Sequence, residues 1–322
     1  MTGPKLSICI PTFNRRETLT ATLRSIEIQP EFLETDDVEI VISDNCSTDH
    51  TFEVGEAYAA RYPTRVVYHR HHRPTARGEH NFHHALSLGN GTLLKLHNDT
   101  LRVRTGALAD VLEVIDHTAA ARPLLFMTNG NNHRPEWQLA ELCRNLDEFV
   151  DKASYFTTWI GGLCLWRDDL AASRRFLNDT SRLTQVSIVT EMVAAGRQAV
   201  VLYPSYFESV PDGRAGYNLT EVFGATYLGI LKEHVRRKRL SPAAFAREKQ
   251  RLLFGHLLPY YLDPATTFDK RGFFEHLAEY RDDAYFHDAI AEHLPYIRQN
   301  CGLSDASGPD VDPGQVERMQ LT

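Results

Sequence analysis

A regular alternation of apolar runs and helix-periodic segments over the first 130 residues constrains the fold of this chain more than any other feature. The apolar run 6–10 stops at Pro11, and residues 16–28 then repeat large apolar side chains at helical spacing. The same order recurs, with strands expected at 38–42, 65–71, 92–99 and 123–129 and helices at 51–61, 81–89 and 106–117. This alternation predicts an α/β fold in which helices cover both faces of a mainly parallel sheet.

The pattern changes along the rest of the chain. An apolar run at 157–166 contains the pair Gly161-Gly162, which indicates close approach to a ligand or a neighbouring strand. A helix is expected at 184–196 and a strand at 198–204, and beyond residue 220 only helical patterns remain, at 220–238, 242–260, 271–281 and 284–299. We therefore expect an α/β domain over 1–215, a helical C-terminal region over 216–301, and a disordered tail over the polar, Pro- and Gly-containing residues 302–322.

Composition limits where the protein works and what it binds. The net charge of −7, from 35 Lys and Arg against 42 Asp and Glu, offers no general surface for nucleic acid. The five cysteines form no CxxC pair, no run of 18 apolar residues occurs, and the N-terminus lacks the order of a signal peptide, so we expect a cytoplasmic protein. The basic stretch 234–240 is typical of a solvated helix end, but it leaves peripheral contact with the inner face of a membrane open. The apolar residues of the C-terminal helices also leave a homo-oligomer open.

Three polar loops are expected at one edge of the predicted sheet. In open parallel sheets, ligands bind outside the carboxyl ends of the strands. The stretch His97-Asn98-Asp99 can be interpreted as a turn or as a metal site, and Asp44 and Asp49 also fit an Asx-turn and a helix N-cap. The loops follow Ile10, Ile42 and Leu96, and their polar residues are Thr12, Asn14 and Arg15, then Asp44, Asn45 and Asp49, then His97 and Asp99.

The stretches "LSICIPTFNR" and "VEIVISDNCSTDHT", followed by a strand that ends in "HND", resemble the family 2 glycosyltransferases with a GT-A, Rossmann-like fold. The resemblance is strongest over residues 5–110, and the part that begins "AGYNLTEVFGATYLGIL" is similar to the O-antigen and deoxysugar transferases of that family. It implies a glycosyltransferase that moves a hexose or deoxysugar from a UDP-, dTDP-, GDP- or CDP-sugar to a saccharide or glycolipid acceptor. The implied role is cell-surface polysaccharide biosynthesis.

Two other classes of protein remain open. A nucleotide-sugar-binding protein that has lost catalysis is compatible with the same motifs. A nucleotidyltransferase is less favoured, because its phosphate loop needs glycine and the stretch "IPTFNRRETL" after the first strand has none.

The resemblance also implies which residues bind the donor nucleotide. In the family, the first loop surrounds the base and an Asp of the second loop bonds to it. Asn45 stands where the family often has a second Asp, and an amide adds donors that would change the base preference. The implied residues are Pro11, Thr12 and Asn14 in the first loop, Asp44 and Asn45 in the second, and Arg77 and Asn81 within "RHHRPTARGEHNFHH".

Enzymes of this fold hold a divalent cation on the diphosphate with an Asp-x-Asp motif. Here His97 falls at the first acidic position, Asn98 lies between and joins the donor site, and Asp99 falls at the last position. We predict Mn²⁺ or Mg²⁺ bound by His97 and Asp99, because imidazole suits first-row transition metals and carboxylate suits both ions. The alternatives are Asp99 as the sole ligand of the triplet, or a metal-free site in which His97 and basic residues face the phosphates. Arg214 lies where the family often has a mobile loop, and is the candidate cation for the phosphates.

A zinc cluster formed by the histidines of residues 70–84 is not favoured by the sequence. No Cys or acidic residue accompanies them at a ligand spacing.

The usual proton acceptor of the family is absent. That residue is the Asp of an "ED" pair, about eleven residues before a glycine that ends the same helix, and counting back from Gly196 reaches Gln185. An amide cannot take a proton, so either another carboxylate acts or the sugar is transferred with retention, in which the phosphate of the donor takes the proton. The candidate carboxylates are Asp179, favoured because it precedes the helix and can point into the cleft, and Asp168, Asp169 and Glu191.

Overall fold

An eight-stranded sheet lies at the centre of this computed structural model, which describes residues 3–75, 78–131, 138–176, 183–210 and 216–300. A second, two-stranded sheet is formed by β5 and β10. The strands are β1 (Leu6–Thr12), β2 (Val38–Asp44), β3 (Val66–Arg70), β4 (Leu93–Leu96), β5 (Leu101–Val103), β6 (Leu124–Met127), β7 (Ala140–Cys143), β8 (Leu163–Trp166), β9 (Ala199–Leu202) and β10 (Phe207–Ser209).

The strand order in the large sheet is β3-β2-β1-β4-β8-β6-β9-β7. Strands β3, β2, β1, β4, β6 and β9 run in one direction, and β8 and β7 run in the other. The prediction of a mainly parallel sheet is therefore confirmed. Strand β4 ends at Leu96, so "HND" follows the strand and does not extend it. All residues of β1 and β2 are buried, as expected of parallel strands that are covered on both faces.

Helices alternate with these strands as the sequence predicts. In α1, Leu19, Leu23 and Ile26 are fully buried because their spacing places them on one face of the helix. The helices are α1 (Arg16–Glu27), α2 (Pro30–Leu33), α3 (Thr51–Arg61), α4 (Gly78–Leu88), α5 (Ala107–Thr118), α6 (Leu146–Ala153), α7 (Leu170–Ser173), α8 (Thr184–Ala194), α9 (Leu228–Arg236), α10 (Pro242–Leu252), α11 (Leu258–Leu262), α12 (Phe273–His276) and α13 (Ala284–Asn300). Two π-helical segments, Glu221–Tyr227 and Leu253–Leu257, precede α9 and α11.

Helix α6 lies in a part of the sequence whose pattern indicates no element. Its N-terminus is capped by Asn145, whose Oδ1 accepts a hydrogen bond from the backbone N of Glu148 at 2.9 Å. Leu146, Phe149 and Val150 are buried on one face of this short helix. The capping residue and this apolar face are local signals that the polar residues before the helix obscure.

The chain divides into two compact units. The first contains residues 1–214 and 229–248, and the second contains 215–228 and 249–322. Residues 229–248, which the sequence analysis placed in the helical region, thus belong to the first unit. Within the second unit, Tyr261 and Phe273 pack with ring centroids 4.0 Å apart, and the hydroxyl of Tyr280 donates to the backbone O of Lys249 at 2.8 Å. The tail 302–322 lies outside the described residues, and its disorder remains a prediction.

The arginines of the basic stretch 234–240 pair with acidic side chains. Arg239 binds both carboxylate oxygens of Glu191, at 2.6 and 2.8 Å, and Arg236 binds Glu233. His234 is buried, and its Nε2 lies 3.0 Å from Oγ1 of Thr190. Within the part of the chain that the structure describes, no helix has the length and apolar character needed to cross a membrane.

Candidate active site

Thr12, at the end of β1, joins the loops that follow β2 and β4. Its Oγ1 donates to Oδ2 of Asp99 at 2.7 Å, and its backbone O accepts from the backbone N of Asn45 at 2.9 Å. The side chain of Thr12 is 3% exposed. The carboxyl ends of three neighbouring strands therefore meet at one residue, as expected at the ligand-binding edge of an open sheet.

Asp44 ends β2 as a fully buried carboxylate. Its Oδ1 accepts from the backbone N of Ser47 at 2.8 Å, and its Oδ2 accepts from the hydroxyl of Tyr68 at 3.1 Å. Burial and the charge of Asp44 raise the pKa of Tyr68, so this hydroxyl stays a donor. Asn14 adopts the left-handed region at φ 52°, and its Oδ1 accepts from the backbone N of Thr48 at 2.7 Å. The first two loops are thus bonded to each other.

The other residues assigned to the nucleotide are also built into the fold. Oδ1 of Asn45 accepts from the backbone N of Thr75 at 2.7 Å, and Pro11 is buried within β1. Nδ2 of Asn81 donates to the backbone O of Ser43 at 2.8 Å, which holds α4 against β2. These bonds determine the position of each residue, and contact with a nucleotide remains a prediction for all of them.

Lys95 is a fully buried ammonium directly behind the third loop. Its Nζ donates to the backbone O of Leu96 at 3.0 Å, to the backbone O of Gly161 at 2.9 Å and to Nδ1 of His97 at 3.0 Å. The same Nζ lies 4.2 Å from the centroid of the Phe207 ring. Burial lowers the pKa of Lys95 to about 8.

Both ring nitrogens of His97 are engaged by protein groups. Nδ1 accepts from Lys95, and Nε2 donates to the backbone O of Leu101 at 3.1 Å. Burial and the adjacent Lys95 hold the pKa of His97 well below its ordinary value, so the ring is neutral. In this arrangement the imidazole has no nitrogen lone pair available for a metal ion.

Oxygen atoms are the donors that this loop can offer to a cation. Asp99 is 9% exposed, its Oδ2 accepts from Thr12, and its Oδ1 lies 3.9 Å from Nε of Arg15. Oδ1 of Asn98 is buried and has no hydrogen-bond partner among the described residues. A carboxylate and an unsatisfied amide oxygen are ligand types that suit a hard divalent ion such as Mg²⁺ or Mn²⁺. A divalent ion at this loop remains a prediction, and in this arrangement its ligands would be oxygen atoms and not the imidazole of His97.

Gln185 and His83 line the same small cavity. The cavity has a volume of about 10 Å³ and is otherwise lined mainly by apolar side chains, including Leu96 and Ile188. Nε2 of Gln185 donates to the backbone O of Thr158 at 2.6 Å, whereas Oε1 of Gln185 and Nε2 of His83 are buried and have no hydrogen-bond partner within the described part of the chain. Since this volume holds roughly one water molecule, a bridging water would satisfy both atoms. Burial and the nearby Arg174 lower the pKa of His83, so the ring is neutral.

The described alternatives for the proton acceptor are all paired with arginine. Asp168 forms an ion pair with Arg122, Asp169 with Arg197, and Glu191 with Arg239. Against the effect of burial, the hydrogen bond from Arg239 lowers the pKa of Glu191, whereas burial raises the pKa of Asp169 in spite of Arg197. Asp179, Arg77 and Arg214 lie outside the described residues, and their roles remain predictions.

A family model described as "Glycosyl transferase family 2" matches residues 7–171, about half of the chain. The chain belongs to this glycosyltransferase family. The matched segment begins in β1 and includes the loops after β1, β2 and β4. The resemblance inferred from the sequence is therefore confirmed.

Individual proteins are similar to this chain over different shares of their own length. Abequosyltransferase RfbV of Salmonella typhimurium (strain LT2) is 41% identical over 86 residues, which cover 27% of this chain and 25% of that protein. Staphylococcus aureus TarS has a TM-score of 0.61 at 16% identity, over 92% of this chain and 55% of the TarS chain. The mannosyltransferase PcManGT of Pyrobaculum calidifontis, solved with GDP-Man and Mn²⁺, has a TM-score of 0.55 at 17% identity, over 94% of this chain and 84% of that chain. The structural matches confirm the GT-A fold.

Several residues that organise this edge of the sheet were not predicted from the sequence. Lys95 carried a detectable signal, because it is the one charged residue in the apolar strand "LLKL". Ser43 and Tyr68 carried none, since a hydroxyl within a strand is common on either face. Their partners, Asn81 and Asp44, lie 38 and 24 residues away in sequence.

Proposed function

We propose that this protein transfers a sugar from a nucleoside-diphosphate donor to a hydroxyl group of a saccharide or glycolipid acceptor during cell-surface polysaccharide biosynthesis. Membership of glycosyl transferase family 2 supports the reaction class. The similarity to abequosyltransferase RfbV over 86 residues supports sugar transfer. The acceptor class and the biosynthetic role rest on the resemblance of the C-terminal part to the O-antigen and deoxysugar transferases.

The observation that carries the proposal is the position of Thr12 between Asp99 and Asn45. Its two hydrogen bonds, at 2.7 and 2.9 Å, connect the loop proposed for the diphosphate with the loop proposed for the base. A nucleoside diphosphate has a planar base at one end and two charged phosphates at the other. Asp44 and Asn14 would contact the base, and Asp99 would lie on the phosphate side.

Asp99, with the amide oxygen of Asn98, would hold a divalent ion. When bound, such an ion offsets the negative charge that develops on the diphosphate as it leaves. Mn²⁺ is the ion in the structure of PcManGT, and Mn²⁺ or Mg²⁺ is the proposed ion here. His97 would act differently from the first Asp of the usual motif. As a neutral ring bonded to Lys95 and to the backbone O of Leu101, it would position the loop that carries Asp99.

Asp179 is the proposed proton acceptor, and Arg214 the proposed cation for the phosphates. Gln185 stands at the usual position of the proton acceptor, but its amide cannot take a proton. The described carboxylates that were considered as proton acceptors are paired with arginine. Asp179→Asn is expected to abolish transfer and to leave donor affinity within about twofold. Loss of donor affinity in proportion to activity would place Asp179 in donor binding instead.

The first experiment measures donor binding by calorimetry with UDP-, GDP-, CDP- and dTDP-sugars, with and without Mn²⁺. The wild type is compared with Asp99→Asn, which keeps the size of the side chain and an oxygen that can accept from Thr12. Asp282→Asn, an exposed change in the second unit, is the matched control. We expect one nucleotide to bind in a Mn²⁺-dependent manner, and Asp99→Asn to weaken that binding by at least about tenfold while the control does not.

The second experiment measures transfer. The preferred donor, radiolabelled in its sugar, is incubated with lipid-linked saccharides, and the labelled product is counted. Incorporation that requires Asp99 supports the proposal. Donor binding without transfer to any acceptor and without donor hydrolysis would refute it, and would identify a catalytically impaired nucleotide-sugar-binding protein.

A further inference from the structure

Three histidines, one in β3, one directly after it and one in α4, form a cluster beside the nucleotide edge of the sheet. One ring nitrogen from each of His69, His71 and His84 lies within 4.8 Å of one from each of the others. The centroids of the three rings are 4.4 to 5.1 Å apart. We propose that these histidines bind Zn²⁺ or a similar first-row transition ion, at a site separate from Asp99.

The fold brings the three rings together. His69 lies in β3, and His71 directly follows the last residue of that strand, Arg70. The backbone N of His71 still donates to the backbone O of Asp44, so the two histidines, two residues apart, leave the same face of extended backbone. Arg70 between them points to the opposite face, where its NH2 donates to the backbone O of Ser47 at 2.8 Å and its guanidinium lies over the Phe52 ring. His84 comes from α4, at a distance in sequence that hides the cluster from any spacing rule.

A hydrogen-bond network determines which nitrogens carry protons. Nδ2 of Asn81 donates to the backbone O of Ser43, so Oδ1 of Asn81 is an acceptor. That oxygen accepts from the hydroxyl of Ser43 at 2.6 Å and from Nε2 of His71 at 3.1 Å. Because the only hydroxyl hydrogen of Ser43 is used, Nδ1 of His84 must donate to Oγ of Ser43, at 2.9 Å.

Two of the imidazoles therefore each use one nitrogen as a donor to a protein oxygen and keep the other unprotonated. Ligating histidines are oriented in this manner, since the second N–H is held by an oxygen acceptor while the first nitrogen binds the metal. His69 and His84 are half-buried. The protein oxygens thus set the tautomers of His71 and His84, and an unprotonated ring nitrogen is the form that binds a metal ion.

The ligand type separates this site from the one at Asp99. The cluster contains three imidazoles and no carboxylate, a set that favours Zn²⁺, Ni²⁺ or Cu²⁺ over Mg²⁺. Three histidines also leave a fourth position of a tetrahedral ion for water or another ligand. The backbone N of His71 donates to the backbone O of Asp44 at 2.9 Å. A bound ion would therefore tie β3 and α4 together directly beside the carboxylate proposed for the base.

The test uses the full chain, purified without a histidine tag and treated with EDTA. Zn²⁺ is titrated by calorimetry, and Co²⁺ is titrated by its visible absorption, which is intense when the ion is tetrahedral. We expect one Zn²⁺ per chain at micromolar affinity or tighter, a tetrahedral Co²⁺ spectrum and a rise in Tm with Zn²⁺.

His71→Ala and His84→Ala are expected to weaken Zn²⁺ binding by at least about tenfold and to remove the Co²⁺ spectrum. His72→Ala, which removes an exposed neighbouring ring, is the matched control and should bind as the wild type does. Asp99→Asn should also bind Zn²⁺ normally, which distinguishes this site from the proposed donor site. Circular dichroism of the metal-free variants checks that each one folds.

Two results would overturn the proposal. One is a wild type that shows neither Zn²⁺ binding nor a tetrahedral Co²⁺ spectrum at micromolar concentrations. The other is retention of both by His71→Ala and His84→Ala, which would place the ion elsewhere. Neither result bears on donor binding or sugar transfer, because those experiments depend on Asp99.

Discussion

Replacing Gln185 with Glu tests whether the side chain at the usual position of the proton acceptor is enclosed by protein. Gln185→Glu keeps the size and shape of the side chain but replaces the amide NH₂ with oxygen. Gln185 is 3% exposed, and its Nε2 donates to the backbone O of Thr158 at 2.6 Å. An ionised carboxylate would present a negative oxygen to that carbonyl in a space that excludes bulk water. Both effects raise the pKa of the new carboxyl.

The energetic cost has an upper limit set by pH. The new carboxyl escapes the penalty of ionisation by taking a proton, after which it donates to Thr158 as the amide does. For an ordinary Glu pKa of about 4.3, protonation at pH 7 costs about 3.7 kcal/mol, and at pH 5 it costs about 1 kcal/mol. We therefore expect Gln185→Glu to lower the free energy of unfolding by about 3 kcal/mol at pH 7 and by about 1 kcal/mol or less at pH 5.

The sign of the pH dependence follows from proton binding. The folded pKa of the new carboxyl lies above its unfolded value, so the folded state binds more protons. The stability associated with this group is fully present below the unfolded pKa of about 4.3, and is lost as the pH rises through the folded pKa. The pH dependence of stability has the same sign if His83, which lines the same cavity, holds the proton.

Urea unfolding at several pH values between 5 and 7.5 measures this difference directly. Gln198→Glu, at an exposed position, is the matched control and should change stability by less than about 0.5 kcal/mol at every pH. The reasoning is refuted if Gln185→Glu has the same effect at pH 5 as at pH 7.5. A small and constant effect would mean that water reaches the side chain, and a large and constant effect would mean that the loss comes from packing.

Three further changes test buried hydrogen bonds of the first unit. Glu39→Gln places an NH₂ among the donors that now face a buried carboxylate, so the free energy of unfolding in urea should fall by about 2 to 3 kcal/mol. A fall below about 0.5 kcal/mol would contradict this hydrogen-bond network. Trp166→Phe removes part of a fully buried ring and the donor to the backbone O of Pro123, at 2.6 Å, so Tm should fall by several degrees. An unchanged Tm would argue against this packing. Tyr68→Phe removes a donor to buried Asp44 and should cost about 1.5 to 3 kcal/mol, with a value near zero indicating that another group replaces it.

Local patterns were sufficient for the first four strands and their helices. The runs that became β1 and β2, and the helical spacing that became α1 and α3, are each contained within about a dozen residues. Motif spacing was also sufficient to identify the family, because the polar loops follow their strands directly. The direction of β8 in the sheet could not be predicted from local patterns. Its run "LCLW" is apolar in either direction, and its antiparallel place between β4 and β6 depends on partners elsewhere in the chain.

The donors and acceptors within the site depended on contacts across the fold. The Gly161-Gly162 pair indicated close approach, and a Cβ on Gly162 would lie 2.5 Å from the backbone O of Met127. The sequence did not show that the backbone O of Gly161 accepts from Lys95, or that Lys95 in turn engages His97. The interpretation of His97 as a metal ligand rested on its place in a triplet. Its place in the fold gives both ring nitrogens other partners.

The sequence by itself determined the class of fold, the family and the loops that carry the polar residues, because these follow from periodicities and motifs of short range. Only the tertiary structure decided which side chains meet. Thr12 reaches Asp99 across 87 positions of sequence, and three histidines from β3, the residue after it and α4 bring their ring nitrogens within 4.8 Å of one another. The physical reason is that strand order and helix packing determine such contacts, and a hydrogen bond or a metal ligand depends on distance in space.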